Sequence, residues 1–327
     1  MSLEPPFLDD ESIPAELRVL EVACAVCGGR EAERVATGYD YEYRTSRQPW
    51  HYGRCRECGL VYVNPRPDVS ELGAIYPPHY YSFDEEQRDV ALVSFFRRKL
   101  EALKVKAFGS YLEPGPRRIL DVGCGDGRFL SVMREFGSSE WSLQGIDIDE
   151  GAVERARAKG LDARTARLED FDPGPERFDM IVLFQVIEHV SEPAEMCRKI
   201  RELLKPGGAF VIETPDVAGW DEKLFRDGLW GGYHIPRHWN LFTPETLGRM
   251  LRQEGFEVVA GQPLISTSFW INSLYNRALV RGAGKRTLGF LHYQNPLLLG
   301  LFILLDKLRM LFGARTSNQR MVARREG

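Results

Sequence analysis

The sequence predicts an α/β protein with a doubly wound parallel sheet, preceded by a smaller domain that carries cysteines. Three observations predict this class. Short apolar runs such as Phe178–Phe184 alternate with helical patterns from residue 118 onwards, a glycine-rich loop follows the first run, and four of the six cysteines form two Cys-x-x-Cys pairs near the N-terminus. The length of 327 residues suits roughly two domains of about 150 residues. We expect residues 1–88 and 89–327 to form them.

Composition and charge exclude several classes of protein. Hydrophobic residues make up 43% and charged residues 28% of the chain, which is typical of a globular protein and excludes a disordered or collagen-like chain. Nine of the 43 Lys and Arg residues, but only two of the 47 Asp and Glu residues, lie between Arg281 and the C-terminus. The body before Arg281 is therefore acidic, which argues against nucleic acid as a partner, because binding a phosphate backbone requires Lys and Arg.

The N-terminal residues and the longest apolar run indicate where in the cell the protein is located. The first ten residues are acidic and lack the cationic start and apolar core of a secretory signal, which predicts a cytoplasmic protein. The longest apolar run covers nine residues, 297–305, whereas a bilayer-spanning helix needs about 20. We therefore expect no transmembrane helix.

The two cysteine pairs predict a metal site. Cys24 and Cys27, and then Cys55 and Cys58, are each followed by glycine, which permits the tight turn that brings two thiolates to one metal ion. Four thiolates leave no open coordination position, so we expect one structural zinc ion in a zinc-ribbon domain; the alternative is unliganded or redox-active thiols. The tyrosine-rich segment from Tyr76 to Tyr81 is expected to be a packed linker or part of a lid.

A glycine-rich loop follows the first strand of the predicted sheet. Asp121, Gly123, Gly125 and Gly127 alternate with other residues, in a spacing that differs from the G-x-G-x-x-G of dinucleotide-binding proteins. Backbone amides of such a loop point at the start of the following helix and can approach a ligand closely. Asp147 ends the second strand, where an acid can accept both hydroxyl groups of an adenosine ribose.

These residues resemble the class I S-adenosylmethionine-dependent methyltransferases. The resemblance covers about residues 118–259 and rests on the glycine loop, on Gly145-Ile-Asp147, on Glu188-His189-Val190 and on Leu204-Lys-Pro-Gly-Gly208. It implies a Rossmann-like methyltransferase sheet of seven strands, of which the last, near residues 319–324, is antiparallel. It also implies an S-adenosylmethionine site formed by Asp121, Gly123, Gly125, Gly127, Asp147, Leu168, Glu169 and Gln185, with the adenine near Leu168 and Glu169.

Two insertions are predicted at the carboxyl edge of the sheet, where ligands of such sheets bind. They cover about residues 215–242 and 261–318. The first contains His234 and His238 among aromatic residues, which indicates acid–base chemistry against a ring or sugar face. We expect His238, and secondarily His234, to be catalytic; acceptor binding and structural hydrogen bonding are the alternatives for His238. Its side chain is expected to face a cleft near Gly123 and Gln185.

The first insertion also resembles a narrower group, the zinc-containing sugar C-methyltransferases. These carry an N-terminal four-cysteine site and a histidine in a run similar to His238-Trp-Asn-Leu-Phe-Thr243. The resemblance implies that His238 is the base that abstracts a proton. The chain departs from this group in two ways: Arg237 stands where the group has a glutamate, and the chain has no room for the group's large second α/β domain.

The second insertion contains a helical pattern from residue 296 to 312. Its leucines Leu297, Leu301, Leu304, Leu308 and Leu311 recur at helical spacing, whereas Asp306, Lys307 and Arg309 lie off that stripe. One interpretation is a lid packed on the core. The other is a peripheral membrane contact through residues 286–315 that admits a lipid-linked acceptor.

The sequence therefore predicts a methyltransferase that acts on a small-molecule, sugar or glycan-precursor, or lipid-linked acceptor. Two other functions compete with this one. Some ribosomal RNA methyltransferases also carry an N-terminal zinc site, but the acidic body opposes RNA binding. A non-catalytic scaffold that binds the cofactor is opposed by the intact glycine loop and by Asp147.

Overall fold

A seven-stranded sheet forms the centre of the computed structural model, which describes residues 5–77 and 91–327, and only the backbone of residues 91–97, 99 and 100. The strands are β6 Arg117–Val122, β7 Trp141–Asp147, β8 Asp162–Thr165, β9 Phe178–Phe184, β10 Leu204–Pro215, β12 Phe256–Leu264 and β13 Asn318–Arg325. Their order in the sheet is β12-β13-β10-β9-β6-β7-β8. Strand β13 runs antiparallel to both of its neighbours, and the pairs among the other strands are parallel. The predicted fold class, including the antiparallel last strand, is confirmed.

Helices cover both faces of this sheet. The helices are α2 Ala91–Gly109, α3 Arg128–Phe136, α4 Glu150–Ala158, α5 Pro193–Leu203 and α7 Pro244–Gln253. On one face, Val105 and Phe108 of α2 and Met133 of α3 pack on Val182 and Val211. On the other face, α5 and α7 bury apolar side chains against Phe210, Ile212 and their neighbours. The central strands β6, β9 and β10 are thus largely buried on both sides, which explains why they read as continuous apolar runs in the sequence.

The N-terminal part forms two small sheets. Strands β2 Ala32–Gly38, β3 Trp50–Cys55 and β4 Val61–Val63 form an antiparallel sheet, and β1 Val19–Leu20 pairs with β5 Arg66–Pro67 beside helix α1 Leu72–Ile75. The first sheet gains its fourth strand, β11 Asn240–Leu241, from the first predicted insertion. The N-terminal part and the catalytic body therefore share a sheet. The predicted boundary near residue 88 lies outside the described residues.

The two insertions differ in detail from the prediction. The first contains the short helix α6 Trp220–Leu224. Strand β12 continues to Leu264, four residues further than expected, because it pairs with β13 along its length. The second insertion therefore spans residues 265–317 and consists of helices α8 Thr267–Val280, α9 Lys285–Phe290 and α10 Pro296–Leu311. The family motif at residues 204–208 forms an irregular start of β10, with a register shift between Leu204 and Ala209.

Among the residues that the structure describes, no helix combines the length and the apolar character that crossing a bilayer requires.

Candidate active site

The glycine-rich loop joins β6 to α3 at the carboxyl edge of the sheet. Gly123, Gly125 and Gly127 all have positive φ values. A side chain added at Gly125 would meet no atom within 4 Å, so the space above this residue is open to a ligand. The amide of Gly125 donates a hydrogen bond of 2.8 Å to Oδ2 of Asp147, which ties the loop to the end of the neighbouring strand β7.

Two carboxylates flank this loop. Asp121 is buried, and burial together with the nearby charge of Asp147 raises its pKa to about 7. Asp147 is partly exposed, and its oxygens accept from the amides of Gly125 and Asp149. Each carboxylate oxygen can accept more than one hydrogen bond, so Asp147 retains capacity for ribose hydroxyl groups. The pair fits a ligand that brings an ammonium group and hydroxyl donors, which are the groups that S-adenosylmethionine carries.

The remaining predicted cofactor residues lie at neighbouring strand ends. Leu168 is buried, whereas Glu169 is exposed beside Arg167, with 3.5 Å between Oε2 and Nε. Gln185 follows β9 with a φ of 54°, and its backbone amide donates to the backbone carbonyl oxygen of Glu213 (2.8 Å). The ends of β6, β7 and β9 thus present the predicted residues along one edge, and their contacts with the cofactor remain a prediction.

His238 is buried beside Glu188, which lies four positions beyond the end of β9; its orientation toward a cleft near Gly123 and Gln185 remains a prediction. Its Nδ1–H donates to the carbonyl oxygen of Gly232 (2.8 Å), so Nε2 carries a lone pair in the neutral ring. That Nε2 lies 4.0 Å from Oε1 of Glu188. Glu188 follows β9, and its Oε2 accepts from the hydroxyl group of Thr214 at the end of β10 (2.9 Å).

Burial shifts the pKa values of both His238 and Glu188. Burial, followed by the neighbouring rings of His189 and His234, holds the pKa of His238 well below its usual range. Burial also raises the pKa of Glu188 to about 8. Oε1 of Glu188 is buried and has no hydrogen-bond partner among the described residues. The site therefore contains a neutral imidazole that can accept a proton, next to a carboxyl group with unused bonding capacity.

Three histidine rings meet here, and together with Glu188 we call them the histidine cluster: His189, His234 and His238. The ring centroids of His189 and His238 are 4.6 Å apart, and those of His234 and His238 are 5.0 Å apart. The ligand atoms of Glu188, His189 and His238 lie within 4.8 Å of one another, so these side chains could also hold a cation.

The N-terminal part contributes directly to the cluster. The hydroxyl group of Tyr76 contacts Nδ1 of His189 (2.8 Å), and Oε1 of Glu42 lies 3.1 Å from Nδ1 of His234. The sequence does not mark Tyr76 or Glu42 as site residues; it marks Glu188 and His189 through the family motif at residues 188–190, with His189 as a minor alternative for the base. No local pattern marks Glu42, because only the shared sheet brings it to His234.

Arg237, which departs from the sugar C-methyltransferase pattern, has a structural role. Its guanidinium is fully buried and pairs with Asp40 at 2.9 and 3.2 Å, and it also donates to the carbonyl oxygen of Ile75. Burial alone would raise the pKa of Asp40, but the charge and hydrogen bonds of Arg237 together with the hydrogen bonds from Thr45 outweigh burial, and the pKa is lowered. The arginine thus joins the N-terminal part to the loop that carries His238.

The four predicted metal-binding cysteines lie together. The sulfur atoms of Cys24 and Cys58 are 3.4 Å apart, those of Cys27 and Cys55 are 3.5 Å apart, and all four lie within 4.8 Å of one another. These separations are close to those of about 3.8 Å that tetrahedral zinc with bonds of about 2.3 Å imposes. Each pair turns at its glycine, with a φ of 75° at Gly28 and 83° at Gly59. The donor set therefore fits one zinc ion.

Comparison with known proteins identifies the family. A family model described as a methyltransferase domain matches residues 92–260. A ubiquinone biosynthesis O-methyltransferase of Cereibacter sphaeroides is 30% identical over 177 residues, which are 50% of this chain and 69% of the relative. The protein of the same name from Roseobacter denitrificans is 31% identical over 156 residues, 43% of this chain and 60% of the relative. Several of these relatives are thus matched over less than two thirds of their length.

Solved structures of related fold are more distant in sequence. Phosphoethanolamine N-methyltransferase 2 of Haemonchus contortus is 14% identical, with a TM-score of 0.49, over 90% of this chain and 69% of that one. An S-adenosylmethionine-dependent methyltransferase of Mesorhizobium loti is 22% identical, with a TM-score of 0.44, over 67% of this chain and 96% of that one.

The chain belongs to the methyltransferase domain family. The enzyme is an S-adenosylmethionine-dependent methyltransferase, as the resemblance in its sequence implied.

Proposed function

We propose that this enzyme methylates a small-molecule, sugar or glycan-precursor, or lipid-linked acceptor, and that His238 removes the acceptor's proton. The observation that carries the proposal is the hydrogen bond from His238 to Gly232, which leaves Nε2 free to accept a proton at the carboxyl edge of the sheet. An oxygen or acidic carbon acceptor must lose a proton when it is methylated, and general-base catalysis by a positioned histidine assists this step. The relatives named as O-methyltransferases support an acceptor of this kind.

The cofactor site in this proposal consists of Asp121, Gly123, Gly125, Gly127, Asp147, Leu168, Glu169 and Gln185. S-adenosylmethionine, when bound, supplies the electrophilic methyl group. Asp121 would hold the ammonium group of the cofactor and Asp147 its ribose hydroxyl groups. These contacts orient the methyl donor toward the edge where His238 lies, and positioning is the main requirement for an in-line transfer.

Glu188 has a supporting role in the same proposal. When His238 takes the proton, its ring becomes a buried cation. Because burial raises the pKa of Glu188 to about 8, its carboxyl group is ionised mainly above neutral pH, and in that form Oε1 at 4.0 Å would stabilise the cation. His234 is the second catalytic candidate, and its contact with Glu42 supports a role in orienting the acceptor.

The proposal also includes one structural zinc ion held by Cys24, Cys27, Cys55 and Cys58. Four sulfur atoms of two Cys-x-x-Cys pairs lie together, a pattern that is typical of metal binding in a reducing compartment, where disulfides are rare. We therefore propose a cytoplasmic location. The zinc site supports β3 and β4, which pair with the rest of the N-terminal sheet and with β11.

The test is transfer of labelled methyl groups from S-adenosylmethionine to phenols, nucleotide sugars and lipid-linked sugars. Once an acceptor is found, His238→Gln should lower turnover by about 10²-fold or more, the usual range for a general base, without changing cofactor affinity measured by calorimetry. His51→Gln is the matched control, because His51 is a half-buried histidine of β3 bonded to Thr37.

Three results would contradict parts of the proposal. Full turnover by His238→Gln would show that His238 is not the base. Label incorporated into ribosomal RNA alone would favour the RNA-modifying alternative. Cofactor binding without transfer to any acceptor class would favour the scaffold alternative.

A further inference from the structure

Helix α10 is attached to the protein through one face. The ring of Phe302 stacks on Trp270 of α8, with centroids 5.3 Å apart and an interplanar angle of 7°. The buried carboxylate of Asp306 accepts hydrogen bonds from the amide and hydroxyl groups of Ser266 and from Nε1 of Trp270. These contacts determine which side of α10 points outward.

The outward side is strongly apolar, and we call it the outer face of α10. Leu297, Leu311 and Phe312 are 74%, 80% and 87% exposed. The predicted leucine stripe is therefore on the solvent side, and the helix packs on the core through its other side, with Leu298 and Phe302 buried. The outer face consists of Leu297, Leu301, Ile303, Leu304, Leu308, Leu311 and Phe312.

Positive charge is concentrated in the segment that contains this face. Lys307 lies on α10 itself, and Arg281, Lys285 and Arg286 precede it in the same insertion; all four are exposed. The one acidic residue in the sequence between positions 281 and 315 is Asp306, which is buried. The body of the chain before Arg281 has an excess of acidic residues, so the exposed apolar side chains and the excess of positive charge belong to the same segment. A helix that combines these two features binds at the interface of anionic lipids.

A second copy of the chain suits this face less well. A two-fold dimer through α10 would bring the same basic residues of both copies close together, because a two-fold interface pairs each patch with itself. The outer face belongs to a single helix of 16 residues, about 24 Å long. A helix of this length can lie parallel to a lipid surface with its apolar side chains inserted among the lipids.

We infer that the outer face of α10 docks on an anionic membrane surface and that the acceptor is lipid-linked. This inference rests on the proposed function and selects one of its acceptor classes. Helix α8 connects the two sites. It carries Trp270, which holds α10, and also Ser273, whose hydroxyl oxygen accepts from the amide of Gly231 (2.8 Å) in the loop that leads to His234. The docking face is thus one helix away from the histidine cluster.

The experiment measures binding of the full chain to vesicles. We expect co-sedimentation with vesicles of phosphatidylcholine containing phosphatidylglycerol, weaker binding to phosphatidylcholine alone, and a decrease in binding with salt. The triple variant Leu301→Glu, Leu304→Glu, Leu308→Glu should lower the partition coefficient about 10-fold or more, because binding strength depends on the apolar area buried. Leu103→Glu is the matched control, since Leu103 is an exposed leucine of α2.

Cofactor calorimetry on the same variants separates this inference from the proposed function. The triple variant should bind S-adenosylmethionine as the wild type does, because its three positions are exposed and lie outside the cofactor site. Equal vesicle binding by the wild type and the triple variant would overturn the inference. So would a wild-type dimer in sedimentation velocity that the triple variant abolishes in the absence of vesicle binding, since a second copy would then cover the face.

Discussion

The hydroxyl group of Tyr52 lies 3.0 Å from the backbone carbonyl oxygen of His238. It lies equally close to the carbonyl oxygen of Tyr233, and its one proton is shared between them. Tyr52 is fully buried in β3 of the N-terminal sheet. A residue of the cysteine-bearing part of the chain therefore holds both ends of the loop that carries His234 and His238.

Removing this hydroxyl group should destabilise the protein. We expect Tyr52→Phe to lower the free energy of unfolding by about 1–3 kcal/mol, because two buried carbonyl groups lose their donor. Tyr41→Phe is the matched control, since the Tyr41 hydroxyl is buried without a hydrogen-bond partner among the described residues; this variant should be neutral or more stable. Chemical denaturation measures both, and equal effects would contradict the role given to Tyr52.

The hydrogen bond between Gly125 and Asp147 makes Asp147 part of the cofactor loop. Asp147→Ala should weaken binding of S-adenosylmethionine by about 1.5–3 kcal/mol, the range for hydrogen bonds to a charged group. Glu154→Gln, an exposed position on α4, should leave the affinity unchanged. Isothermal titration calorimetry measures both. An unaltered dissociation constant in Asp147→Ala would remove this residue from the proposed site.

Cofactor affinity should depend on pH through Asp121. Its pKa of about 7 means that the carboxyl group is largely protonated at pH 6 and ionised at pH 8. The ionised form attracts the ammonium group of the cofactor, so the dissociation constant should fall as the pH rises, by at most about tenfold per pH unit below the pKa. Asp121→Asn should flatten this dependence. A wild-type affinity that is constant from pH 6 to 8 would contradict the assignment.

Asp121 should also make the stability of the cofactor-free protein depend on pH, in the opposite direction. Its pKa in the folded protein lies above the ordinary value of 3.8. The favourable contribution of the protonated Asp121 to the free energy of unfolding is therefore fully present below about pH 4 and is lost as the pH rises through about 7. Asp121→Asn should therefore raise the melting temperature of the cofactor-free protein at pH 8 more than at pH 4. An equal shift at both pH values would show that ionisation of Asp121 is not the cause.

Metal content tests the cysteine cluster. We expect one zinc ion per chain in protein purified without chelator, and loss of this ion in Cys58→Ser. Cys124→Ala is the control, because Cys124 lies in the glycine loop outside the cluster. Removing the metal should unfold the N-terminal sheet, since thiolate ligands couple zinc binding to folding. Less than about half an equivalent of zinc, with all four thiols reactive, would contradict the site.

Sequence alone determined the core sheet and the residues at its carboxyl edge. Strand β9 matches its predicted apolar run, Phe178–Phe184, at both ends. The glycine loop, Asp147 and the two cysteine pairs were recognisable because their chemistry depends on local spacing. Buried strands and tight turns are specified by residues that are close together in the chain.

Tertiary structure decided how distant segments combine around His238. Tyr76 and Glu42 reach the histidine cluster, and Arg237 pairs with Asp40 across 197 positions of sequence, because β11 joins the N-terminal sheet. The sequence showed a leucine stripe on α10 but not its direction. That direction depends on Trp270 and Ser266, which bind Phe302 and Asp306 and so turn the leucines outward. The spacing of apolar residues shows that a helix has an apolar side, but whether that side is buried or exposed depends on the contacts that the rest of the helix makes with the protein.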